Sequence, residues 1–121
     1  MNNYEKGREY EEKAAAYLIS QGYNIVTANY RSRHAQIDII AMEDGVLAFV
    51  EVKYRKSASP QDPLEAVDAK KQRRISSAAS QYLMEHGGNG ASSYRFDVVS
   101  FLGGKPTLIR NAFDFAGPAG F

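Results

Sequence analysis

Cysteine is missing from all 121 residues. That excludes disulfides, thiolate metal sites and cysteine nucleophilic catalysis. An excess of one charge is missing too. Fifteen Lys+Arg against 14 Asp+Glu leave a formal charge of +1. A polybasic protein held to its partner by bulk charge is excluded, though a local basic patch is not. No stretch approaches the ~20 apolar residues of a membrane span. Met1 to Tyr10 carries Glu5, Lys6, Arg8 and Glu9 and lacks the apolar run of a secretory signal. The expected location is the cytoplasm, with no membrane partner. Composition is that of a globular chain, 44% hydrophobic and 24% charged. The length fits a single domain, 1–121, able to bury a core without staples.

Periodicity orders the chain. Asn2 and Asn3 can cap a helix running to Gln21, with Ala14, Tyr17 and Leu18 at helical spacing and Gly22 as the stop. Tyr23–Tyr30, Gln36–Met42 and Val46–Tyr54 read as strands, and Asp44-Gly45 between the last two is a hairpin signal. Ser57 to Pro63 is a polar, two-proline segment expected to be a mobile loop. A long helix is predicted from Leu64 to His86, with Val67, Ile75, Ala78, Ala79, Tyr82 and Leu83 as its apolar stripe. Strands follow at Tyr94–Phe101 and Lys105–Arg110, and the tail, 114–121, is left unplaced. The order α-β-β-β-α-β-β implies an α/β fold with a mixed sheet. The second helix serves as the crossover between two parallel strands.

The chemistry lies in charges that sit where apolar residues belong. Asp38 interrupts Gln-Ile-Asp-Ile-Ile-Ala, and Glu51 and Lys53 interrupt Phe-Val-Glu-Val-Lys. Alternation puts Glu51 and Lys53 on one face. A two-residue turn at Asp44-Gly45 would set Asp38 opposite Glu51 and Gln36 opposite Lys53. Two facing carboxylates repel unless a proton or a cation intervenes. Hard oxygen donors suit Mg²⁺, whose remaining waters supply a nucleophile, with a lysine to hold phosphate or orient the water. Glu11 lies on the flank of the first helix that carries Ala14, Ala15 and Leu18, so it faces the protein. Taken alone, Glu51–Lys53 also fits a structural ion pair, and Glu11 fits a snorkelling side chain.

Asp38…Glu51-Val-Lys53 on a hairpin resembles the PD-(D/E)xK nuclease core, the restriction-endonuclease-like fold. It follows a glutamate-bearing helix and precedes a basic one. The chain more specifically resembles the YraN-like family (uncharacterised protein family 0102), similar in fold to archaeal Holliday-junction resolvases. Matching residues run from Gly7-Arg8…Glu11 through Ile37-Asp38-Ile39, Phe49-Val50-Glu51-Val52-Lys53 and Lys70…Arg74-Ile75 to Arg95-Phe96-Asp97-Val98-Val99. The resemblance implies Asp38 and Glu51 as metal-binding acids, the Val52 carbonyl in the metal shell, Lys53 as catalytic lysine and Glu11 as support. It implies Mg²⁺ or Mn²⁺ as cofactor and DNA, including branched DNA, as substrate. A homodimer is suggested by analogy with the resolvases. One departure stands out: Ala35-Gln36 replaces the family's usual Gly-Glu, leaving Gln36 as a neutral neighbour of the site.

Bases are concentrated locally. From Lys53 to Arg74 seven bases oppose three acids, and Arg31 and Arg33 precede the second strand. Arg31, Arg33, Arg55, Lys70 and Arg74 are the expected phosphate contacts, giving affinity without base sequence. Three readings remain open: a metal-dependent DNA endonuclease, as the resemblance implies; a non-catalytic nucleic-acid-binding module with a degenerate site; and a purely structural interaction domain.

Overall fold

The computed structural model describes residues 3–33, 35–55 and 67–116. Helix α1 spans Asn3–Ser20, and strands β1, β2 and β3 span Asn24–Arg31, Gln36–Glu43 and Val46–Arg55. Helix α2 spans Ala69–His86, and β4 and β5 span Ser93–Leu102 and Lys105–Phe113. The predicted order holds. The sheet runs β1-β2-β3-β4-β5, antiparallel throughout except for the parallel β3–β4 pair. The crossover between those two strands contains α2, as expected.

Each boundary has a local cause. Glu43 pairs with Val46, and Asp44 and Gly45 both take positive φ, 50° and 78°. Such a turn twists with the strands it joins, and Asp-Gly tolerates it. α2 begins at Ala69, later than predicted, because Asp68 accepts from the Lys71 N–H at 2.8 Å and caps it. Val67 is buried just ahead of the helix rather than on its stripe. β5 runs three residues beyond the prediction. Asn111 at positive φ and a register shift carry it past Arg110, so that Phe113 stacks on Phe96 at 4.9 Å. The predicted mobile loop at 57–63 lies outside the described residues, as do His34 and residues 117–121 of the tail.

Alternation along the strands splits the core in two. Ala14 and Leu18 of α1 pack with Tyr23, Ile39, Ala41, Ala48, Val50, Val99 and Phe101. Ile75, Ala78, Ala79 and Tyr82 of α2 pack with Ile37, Ile40, Leu47, Phe49, Phe96 and Val98. The helices therefore cover opposite faces. Leu18 is fully buried, and truncation to alanine there costs about 2–5 kcal/mol. Both sheet edges are irregular. β1 has a register shift between Ile25 and Thr27 and a positive-φ Asn29, and β5 has Pro106 and Asn111.

Candidate functional site

The candidate site forms where two strands part. β2 stays paired with β1 down to Arg31↔Gln36, but its ladder with β3 ends at Ile39↔Val50. Beyond that point β3 continues to Arg55 beside β4. Asp38 stands at the fork. Its Oδ2 accepts the Val52 N–H at 2.8 Å. The pleat is disturbed here, since Ile37 and Ile40 join one core and Ile39 the other. Asp38 is thereby turned out of regular pairing, toward α1 and β3.

The predicted register is corrected in two respects. Asp38 is not the ladder partner of Glu51, because pairing stops one residue short and the carboxylate takes the next backbone donor. Gln36 does not oppose Lys53. It pairs with Arg31, and its Nε2 donates to Asn29 Oδ1 at 2.8 Å, on the β1 side.

The two acids nevertheless share a cleft. Gly7, Tyr10, Glu11, Asp38, Glu51, Val52 and Tyr54 line an opening of about 300 Å³. Glu51 is buried, and its Oε1 receives Lys53 Nζ at 3.2 Å and Lys71 Nζ at 3.3 Å. Burial, then the charge of Glu51 and more weakly that of Glu11, push Asp38 up to about 8. The Val52 N–H and the charge of Lys71 act against that rise. Asp38 thus holds a proton near neutrality where an ordinary aspartate does not.

These donors suit a hard, hydrated cation. Two carboxylates line one cleft, and the charge of Glu51 adds to burial in disfavouring an ionised Asp38. Mg²⁺ commonly takes one or two carboxylates and keeps several waters. Among the described residues no group of three or more His, Asp or Glu is arranged to hold a metal. An all-carboxylate cage is therefore absent among them, and Glu11 contributes through the cleft wall and its charge.

The basic residues divide. Lys70 and Arg74, favoured from the sequence, are exposed along α2. Lys71 between them is the lysine that reaches the acids, because the first turn of α2 presents it to Glu51. Arg31 is exposed at the end of β1, and Arg55 is half-buried at the end of β3. Arg33 is exposed, and its N–H donates to Gln81 Oε1 at 3.4 Å. Gln81 is ten residues, or about 15 Å, along α2 from Lys71. The Arg33 backbone therefore lies along the helix from its start.

Other contributions were not anticipated. Tyr10 stacks on Tyr54 at 4.2 Å in the wall of the cleft. On the α1 face, toward the β2–β3 turn, Asp97 is fully buried. It accepts from Tyr23 Oη at 2.7 Å and Arg95 Nε at 2.9 Å. Arg95 and Arg110 both bind Glu43, and they hold its carboxyl down at about 2. A charge inside Arg-Phe-Asp-Val-Val is the same sequence signal that marked Asp38.

The chain is thus an α/β protein with a mixed five-stranded sheet, two acids and two lysines meeting at a strand fork. The chain belongs to uncharacterised protein family UPF0102, whose model matches residues 10–101. It is 46% identical over 117 residues to a UPF0102 protein of Lachnoclostridium phytofermentans, covering 97% of this chain and 99% of the relative. It is 40% identical over 114 residues to one from Persephonella marina, covering 94% and 97%. It is 41% identical over 109 residues to one from Aeromonas hydrophila, covering 89% and 84%. Among the described residues no helix is long and apolar enough to cross a membrane.

Proposed function

We propose that this protein is a metal-dependent endonuclease hydrolysing DNA phosphodiesters, with branched or junction DNA as its substrate. The carrying observation is that Asp38 and Glu51 line one cleft with Lys53 Nζ 3.2 Å from Glu51. Asp38 and Glu51, with the Val52 carbonyl, would hold Mg²⁺ or Mn²⁺. When bound, the cation supplies Lewis acidity toward a phosphoryl oxygen and acidifies a water. The chain does the rest. The Val52 N–H fixes the Asp38 carboxylate. Lys53, on the same face as Glu51 and partly open to solvent, is placed to orient the water or to hold a phosphate oxygen. Glu11 reinforces the negative field. Arg31, Arg55, Lys70 and Arg74 supply backbone contacts without base readout. A cytoplasmic location is part of the same proposal, and a homodimer stands as an analogy only.

A second reading keeps the fold and drops turnover: a nucleic-acid-binding module. Its support is that Glu51 already has two ammonium partners and that residue 36 is a neutral glutamine turned toward β1. Incubation with four-way, flapped and single-stranded DNA under Mg²⁺ or Mn²⁺ separates the two. Cleavage lost in Asp38→Ala and Lys53→Ala supports the nuclease. Cleavage unchanged in both removes the catalytic assignment. Binding without cleavage under every condition favours the module.

A further inference from the structure

Glu51 is more heavily neutralised than a waiting metal ligand needs to be. Its side chain is 5% exposed, yet two ammonium groups reach the same Oε1, from different elements. Lys53 comes from β3 itself, two residues on and fixed to the same face. Lys71 comes from α2, and its side chain is 39% exposed. The Lys71 backbone is held, since its N–H is the one that Asp68 caps. Its ammonium sits at the end of four rotatable bonds and is held by the ion pair with Glu51. Lys71 is thus a cation at a metal-binding acid that can leave without moving the helix.

We propose that Lys71 is the resident counter-ion of Glu51 in the metal-free protein, released by the divalent cation to become a phosphate contact. The inference rests on the metal reading of Asp38 and Glu51. A divalent ion and Lys71 compete for one carboxylate, because Glu51 cannot keep two ammonium partners and also donate fully to a metal. The freed ammonium stays at the mouth of the cleft, where a nucleic-acid backbone would pass. Metal and phosphate backbone then bind with positive coupling, and the coupling is reciprocal. Lys71 is a positioning residue in this scheme: it sets the order in which the site fills. A permanent structural clamp would behave differently: the metal would not displace it, so the wild type itself would show no coupling between metal and DNA affinities.

The test uses the full chain and needs no turnover. Mn²⁺ binding is read from the free-ion EPR signal without DNA, for wild type, Lys71→Met, Lys71→Arg and Asp38→Asn. Affinity for a labelled four-way DNA junction is read by anisotropy in EDTA and in Ca²⁺. Thermal unfolding verifies that each variant is folded. Lys71→Met is expected to bind Mn²⁺ about five-fold or more tightly than wild type, the low end of site-to-site couplings, while Lys71→Arg stays near wild type. The wild type should gain junction affinity with Ca²⁺ by a similar factor, and Lys71→Met should gain distinctly less. Equal or weaker Mn²⁺ binding by folded Lys71→Met, with wild-type binding still dependent on Asp38, overturns this inference and leaves the metal reading intact. No Mn²⁺ binding by wild type removes both.

Discussion

The backbone N–H of Val52 points at Oδ2 of Asp38 from 2.8 Å, across the gap where β2 leaves β3. The bond does two things. It satisfies a donor that the broken ladder would leave open, and it holds the carboxylate over the cleft in one rotamer. The acid that burial pushes up is therefore also anchored to β3.

That upward shift sets a pH dependence. Folded Asp38 keeps its proton up to about 8, whereas an unfolded aspartate releases it near ~3.9. Between those values the folded state binds more protons, so stability falls as pH rises. The slope from this group is at most about 1.4 kcal/mol per pH unit. In divalent-free buffer, Asp38→Asn is expected to be more stable than wild type at about pH 8 and equal to it near pH ~4. Urea unfolding across that range checks it. Parallel curves for the two proteins would remove the assigned proton.

The network around Asp97 predicts the opposite sign. Glu43, held down at about 2, contributes stability that is present above its unfolded value of ~4.3 and is lost as pH falls toward 2. Replacing Arg95 with methionine strands the fully buried Asp97 and is expected to cost about 3–5 kcal/mol near neutrality. Arg110→Ala, with its partly exposed side chain, should cost about 1 kcal/mol or less. Equal losses in the two variants, measured by denaturant titration, would contradict this division.

Gly7 offers a separation of stability from function. It lies within α1 and lines the cleft, and a Cβ built there meets nothing within 4 Å. No packing reason explains a glycine at that place. Alanine should stabilise the helix by about 0.5–1 kcal/mol. If the open ground beside Glu11 serves a passing nucleic-acid backbone, Gly7→Ala will bind junction DNA more weakly despite melting higher. A variant both more stable and equally tight would show that the space is idle.

Gln36→Glu tests whether a neutral residue at position 36 weakens the site. The Gln36 side chain bonds Asn29 on β1 and is not among the groups lining the cleft. A glutamate would lose that donor, at a cost of about 1 kcal/mol. It should leave Mn²⁺ affinity within about two-fold of wild type, below the usual scale of coupled sites. A rise of about ten-fold, read by calorimetry, would mean that residue 36 turns into the cleft after all.

The sequence disclosed most where a single period governs. Alternation placed Glu51 and Lys53 on one face, and Asp44-Gly45 set the Glu43↔Val46 pairing. It failed where tertiary geometry interrupts the period. Counting outward from the turn assumes an unbroken ladder, so it could not foresee the fork that sets Asp38 on Val52 and Gln36 on Asn29. That Lys71 pairs with Glu51 was hidden for a related reason. Which of two adjacent lysines reaches the acids depends on how α2 is rotated about its axis, and the Asp68 cap and the buried stripe from Ile75 fix that rotation. Asp97 carried the same sign as Asp38, a charge in an apolar strand, and alternation puts Arg95 on its face; that Arg95 and Arg110 would also meet Glu43 depends on the sheet register.

The irregular edges of the sheet bear on how copies of the chain can meet. A strand adding to β1 would encounter the register shift after Ile25 and the reversed backbone at Asn29. One adding to β5 would encounter Pro106, which has no N–H to give, and the kink at Asn111. Such borders are poor templates for docking another strand and so resist runaway edge-to-edge association. Growth of the sheet by strand recruitment is thus disfavoured at both edges, and any pairing of copies would have to proceed by other contacts.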